Sequence, residues 1–323
     1  MSFRRFLSHF CLLATLAPAF VCAKSINGSS LYGLRYGPNL SWQLMGNTPI
    51  VWGEWLPQAA GSLNYAWLEP LRELEYGEEL GRSATYLFMD ASAEVSPFYV
   101  GYSMGLGLRP FRFVEIGFEY QSSLYLLSNI EMVTVDEEGK GRIAETWNAD
   151  YISDNVWVSE TAEFDYSQLF DFYLTMNCAF SGGIDLGFTL HYILSDVSTN
   201  FDGKSYDYRL NIPVFSRDFF VVLETFGRVP LTNHFALVFE SAYYKTGYLR
   251  NHNTIEKESL GYGKALLGAH FFWNEKRQNL TAKFGGWKRV KNEHYDGSLA
   301  QQFLVQLEYQ GYFSFPFHKN FLE

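Results

Sequence analysis

The feature that most constrains this chain is a two-residue alternation of apolar with small or polar side chains, repeated in segment after segment. In residues 98–109, Phe98, Val100, Tyr102, Met104, Leu106 and Leu108 alternate with Tyr99, Gly101, Ser103, Gly105, Gly107 and Arg109. Successive side chains of a β-strand point to opposite faces, so such a segment builds one apolar face and one polar face. Residues 114–126 follow the same rule, with Val114, Ile116, Phe118 and Tyr120 set against Glu115, Gly117, Glu119 and Gln121. Residues 170–180 and 184–194 repeat it on either side of Ser181-Gly182-Gly183, as a hairpin would. Residues 303–313 close the set, and 83–95, 219–226, 235–244, 262–273 and 280–289 fit less regularly.

About ten strands result, each near the 9–11 residues that a tilted strand needs to cross a bilayer. Aromatic residues make up 18% of the chain, yet its mean hydropathy is -0.12, and after the N-terminal run no segment approaches a continuous apolar span. A helical membrane protein would be far more apolar. A barrel whose strands show one face to lipid and the other to a polar lumen satisfies both observations. The expected fold is therefore all-β, an antiparallel up-and-down transmembrane β-barrel of about ten strands, or twelve if residues 24–82 add a pair. Strands of a soluble sandwich or propeller seldom carry six consecutive outward apolar positions.

Connection lengths support the up-and-down topology. Tight links at 109–110, 181–183, 227–233 and 274–279 alternate with long ones at 128–167, 196–216, 249–259 and 291–299. Short turns belong on the periplasmic side and long loops outside. Ser96-Pro97 is a tight turn where an outer loop is expected. Residues 128–167 are charged at Asp136-Glu137-Glu138 and apolar again at Val156-Trp157-Val158, the pattern of a hairpin extending beyond the membrane.

At the N-terminus, Arg4 and Arg5 precede an apolar run over 10–20, and Val21-Cys22-Ala23 places small residues at a cleavage site after Ala23. Bulky Val21 argues against Cys22 as a lipidated residue. Three segments follow: a signal peptide over 1–23, an N-terminal segment over 24–82, and the barrel over 83–323. Residues 24–82 set Trp42, Trp52, Trp55 and Trp67 among Pro and Gly, and three roles stay open for them: a lumen plug, a periplasmic extension or two more strands. Cleavage removes two Arg and no acid, so the formal charge of -10 becomes -12, which speaks against nucleic acid as a partner. Cys178 alone remains, which rules out an intramolecular disulfide and suggests a packing role.

The dyad repeat, the signal peptide and the aromatic strand ends together resemble the outer-membrane β-barrel superfamily of Gram-negative bacteria, over roughly residues 83–317. The resemblance implies an outer-membrane location, contact with lipid and insertion by the barrel-assembly machinery. Phe313, Phe315 and Phe317 stand where that superfamily carries terminal aromatics, although the chain itself ends in Phe-Leu-Glu.

The parity of each strand assigns its lumen side chains. Expected inward acids are Glu115, Glu119, Asp171, Asp185, Glu224, Glu240 and Glu308, and expected inward bases are Arg109, Lys264, Lys283 and Arg289, with His191 and His270. Acids concentrate on earlier strands and bases on later ones, so in a narrow lumen they are expected to pair across it and close the barrel. Two function classes follow: a structural or surface-interaction barrel displaying the loops around 128–167 and 249–259, and a porin-like channel for small solutes. Neither the solute nor an extracellular partner is specified. Ten strands with Glu293, His294 and Asp296 in an outer loop are also similar to the omptin proteases, but no omptin catalytic residue maps onto this chain. Without a phosphate loop, a His-Glu-x-x-His motif or Cys/His metal spacing, no cofactor is expected and a non-enzymatic role is favoured.

Overall fold

The computed structural model describes residues 34–51, 54–55, 58–71, 84–96, 99–125, 133–135, 141–143, 166–197, 204–207, 212–215, 217–245, 261–273, 278–291 and 301–313. Twelve long strands form one antiparallel sheet: β1 (Gly37–Val51), β2 (Gln58–Pro70), β3 (Tyr86–Val95), β4 (Tyr99–Phe111), β5 (Val114–Tyr125), β6 (Tyr166–Ala179), β7 (Asp185–Val197), β8 (Arg217–Pro230), β9 (Phe235–Lys245), β10 (Gly261–Trp273), β11 (Gln278–Lys291) and β12 (Gln301–Tyr312). Each strand pairs with its neighbour in sequence, and β12 pairs with β1 from Ser41↔Tyr312 to Ile50↔Phe303. Closure leaves no free edge, and a sheet surrounded by lipid requires that. Glu54–Trp55 pairs back on the end of β1, and two short hairpins, Val133–Val135 with Gly141–Ile143 and Lys204–Asp207 with Ile212–Phe215, lie in the long connections.

Strand length and surface chemistry match a membrane. A 13-residue strand such as β10 extends about 43 Å, or about 33 Å along the barrel axis at a usual tilt, enough to cross the hydrocarbon core. The outer face carries Leu106, Ile116, Phe172, Leu223, Leu267, Phe284 and Leu307, all exposed. So continuous an apolar band would be an aggregation surface in water and is a lipid-facing surface in a bilayer. Cys178 is exposed at the end of β6, so its surroundings are those of the outer face rather than a packed core. No helix among the described residues is long and apolar enough to cross a membrane, as a barrel requires none.

Of the roles left open for residues 24–82, residues 37–70 take that of two more strands, β1 and β2, which gives the barrel of twelve. The structure differs from the sequence expectation at two links. The link at Arg109-Pro110 is part of β4: the register shifts between Leu108 and Phe111, and the turn falls at Arg112-Phe113. Proline has no N–H for the ladder, so it sits in that irregularity. The turn expected at 227–233 is confined to 231–234, because β8 runs on to Pro230.

Large inward side chains lie over glycines on neighbouring strands. Phe88 covers Gly107, where a Cβ would come within 2.5 Å of the ring, and Tyr173 covers Gly117, where a Cβ would lie 2.3 Å from it. Gly107 and Gly117 face each other in register, so β4 and β5 form a bare strip that these two rings panel from either side.

Candidate functional site in the lumen

Strand parity delivers the charged residues to one interior surface. Glu115 and Glu119 on β5, Asp171 on β6, Asp185 and His191 on β7, His270 on β10 and Glu308 on β12 are all buried within the barrel. Glu224, Glu240, Lys264 and Lys283 share that surface but keep between 12% and 21% of their side-chain area exposed. Arg109 is buried, donates to the carbonyl of Arg112 at 2.6 Å, and lies 5.8 Å from the centre of the Tyr86 ring. The side chain of Arg289 lies outside the described residues, as do Glu293, His294 and Asp296.

The charges form a belt along the wall. Glu119 stands opposite Asp171 in register, accepting from Ser103 Oγ at 2.8 Å, while Asp171 Oδ2 lies 2.8 Å from His191 Nδ1. His191 Nε2 faces Glu224 at 3.8 Å. On the next strands one carboxylate holds two ammonium groups: Glu240 Oε1 meets Lys264 Nζ at 2.6 Å and its Oε2 meets Lys283 Nζ at 2.7 Å. Near the short-turn end Asp185 faces Arg228 at 3.9 Å, and Arg228 lies 4.9 Å from the Phe272 ring centre. His270 packs against the same ring at 3.9 Å.

These pairs correct the expectation of bonds across the lumen. Lys264 and Lys283 are engaged by Glu240, one and two strands away, rather than by Glu115, Glu119 or Asp171. The physical reason is size. Interiors of eight-stranded barrels are filled by side chains and those of 16–18 strands leave an aqueous channel; twelve strands lie between, and a side chain reaches its neighbours before it reaches the far wall.

Asp90 and Glu94 on β3 escaped the sequence reading, whereas Thr175 and Thr189 lie on the strand faces expected to turn inward. Asp90 on β3 stands opposite Gly105, whose missing side chain leaves room for the carboxylate: a Cβ there would sit 2.0 Å from Asp90 Oδ1. Tyr86 donates to Glu115 Oε2 at 3.0 Å, Tyr99 donates to Glu94, and Thr175 and Thr189 share a 2.9 Å hydrogen bond. The signal for Asp90 was present as parity with Ser92 and Glu94, but inward Tyr86 and Phe88 on the same strand masked it. Glu115 Oε1 and Asp171 Oδ1 are buried with no hydrogen-bond partner among the described residues. No group of three or more His, Cys, Asp or Glu among those residues is arranged to hold a metal ion.

No family model matches the chain, and no curated protein matches it in sequence. Among solved structures it is similar to an outer membrane channel from Pseudomonas putida F1, at 11% identity and a TM-score of 0.50, covering 90% of this chain and 100% of that one. A weaker likeness is to the β domain of the Bordetella autotransporter BrkA, at 8% identity and a TM-score of 0.43, covering 86% and 100%. Closed by the pairing of β1 with β12 and banded with apolar side chains outside, the chain has the fold of a bacterial outer-membrane transmembrane β-barrel.

Proposed function

We propose that this barrel is a narrow outer-membrane channel for small solutes, with a hydrated lumen that favours cations. One observation carries the proposal: the ion pairs seen among the described residues run along the wall, between neighbouring or next-neighbouring strands, rather than from one wall to the opposite one. A sealed core would need side chains that meet across the lumen, because a centre that no side chain fills is left to water. Among the described residues the inward carboxylates Asp90, Glu94, Glu115, Glu119, Asp171, Asp185, Glu224, Glu240 and Glu308 outnumber the inward bases Arg109, Arg228, Lys264 and Lys283. Excess carboxylate oxygens, including those of Glu115 and Asp171 without protein partners, call for water. An acid-rich passage concentrates cations and repels anions. The likeness to a channel in fold agrees with this reading.

Swelling of proteoliposomes tests it. Small cationic solutes are expected to enter faster than anionic solutes of the same size, and no permeation by either would refute the channel. A sealed barrel that displays its outer loops is the second reading. It is favoured by the cluster of Leu34, Tyr36, Leu68, Tyr86 and Phe88 buried inside the short-turn end.

A further inference from the structure

The described residues just before β1, Leu34 to Tyr36, turn away from the line of the strand. Gly37 has φ 96, a left-handed conformation that an L side chain resists, and it marks a sharp reversal. Asn39 locks the reversal: its Oδ1 accepts from Arg35 N at 2.8 Å, and its Nδ2 donates to Arg35 O at 2.7 Å and to Gly37 O at 3.0 Å. The reversal directs Leu34 and Tyr36 into the barrel, where they are buried with Leu68, Ala84, Tyr86, Phe88 and Tyr173, and Tyr312 packs against the group. Its members come from β2, β3, β6 and β12, so the segment before β1 reaches side chains on well-separated parts of the wall. Leu68 lies opposite Gly37, and Tyr312 opposite Ser41, which places the group toward the short-turn mouth.

An apolar group serves poorly as lining for an aqueous passage and well as a removable stopper. Leu34 and Tyr36 lie outside the twelve long strands, with Arg35 between them in an isolated bridge and bonded to Asn39, so their withdrawal gives up these local bonds but leaves the long strand pairings intact. We infer that the Leu34–Tyr36 turn is a gate: docked against Tyr86 and Phe88 it narrows the short-turn mouth, and undocked it widens the passage. This inference rests on the channel reading and adds the element that regulates it.

Single-channel recording of the full chain in planar bilayers tests the gate. The L34A/Y36A variant removes the stopper side chains, while G37A, which strains the reversal, leaves them in place and unlocks the turn. Both are expected to raise conductance or open probability about twofold or more, because flow follows the narrowest hydrated section. Heat-modifiable migration on gels confirms that each variant folds, and N39A provides a third, milder unlocking should either fail. Folded variants that conduct like the unmodified protein would overturn the gate while leaving the channel intact. Silence of the unmodified protein with currents from the variants supports the gate. Silence of all would refute the channel, and the gate with it.

Discussion

Removing the carboxylate of Glu240 should expose how strongly the belt contributes to stability. Glu240→Gln keeps the side-chain shape but leaves Lys264 and Lys283, now 2.6 and 2.7 Å from the carboxylate oxygens, without their shared counter-charge. Removing one partner of a fully buried pair costs about 3–5 kcal/mol, whereas an exposed pair contributes about 0–1 kcal/mol. The three side chains are between 12% and 20% exposed, close to the buried limit but reached by water. The expected loss is therefore about 2–4 kcal/mol, a figure that includes the ammonium–ammonium repulsion that Glu240 now offsets. Equilibrium urea unfolding in phospholipid vesicles measures it. Adding K264M and K283M should recover most of the loss, since a shape-matched apolar set is often as stable as a buried ionic one. A loss below about 1 kcal/mol, or no recovery in the triple variant, would refute the reasoning by showing pairs as screened as those on a surface.

Three further outcomes follow from the same geometry. Leu267, exposed at the middle of β10, faces lipid, so Leu267→Arg should cost about 2–4 kcal/mol in the same unfolding assay; a negligible cost would contradict the facing of β10. Gly117→Val should clash with the Tyr173 ring lying over it and cost about 1–3 kcal/mol, with relief when Tyr173 is also changed to Ala; additive effects would mean that the ring does not cover the glycine. Mass spectrometry of outer-membrane fractions should find a mature N-terminus at Lys24, and an intact Met1 in the membrane would contradict export by a cleaved signal.

What was legible in the sequence depended on how different the two faces of each strand were. β4, β5, β6 and β7 oppose apolar residues to Gly, Ser, Thr and acids, and their limits were found to within about four residues, the largest miss being the start of β6 at Tyr166. β2 alternates too, with Leu63, Tyr65 and Trp67 set against Ser62, Asn64 and Ala66, but inward Leu68 breaks the contrast because the apolar group in the mouth needs it. Phe220 and Val222 do the same to β8, where both are buried inside the barrel. A lumen that is partly apolar thus erases the period-two signal where a gate or a packed wall requires greasy inward residues. Pairing was less legible than facing. Parity shows that Lys264 and Lys283 point inward, but their choice of Glu240 depends on register and barrel width, and these emerge only once twelve strands close.

The sign of the reversal potential in planar bilayers under a KCl gradient tests the channel reading most directly. An acid-rich hydrated lumen predicts a reversal potential displaced toward that of potassium, and E119Q together with D171N should move it toward zero by neutralising facing carboxylates on β5 and β6. A reversal potential on the chloride side, or a folded protein that passes no current with its gate residues removed, would contradict the account.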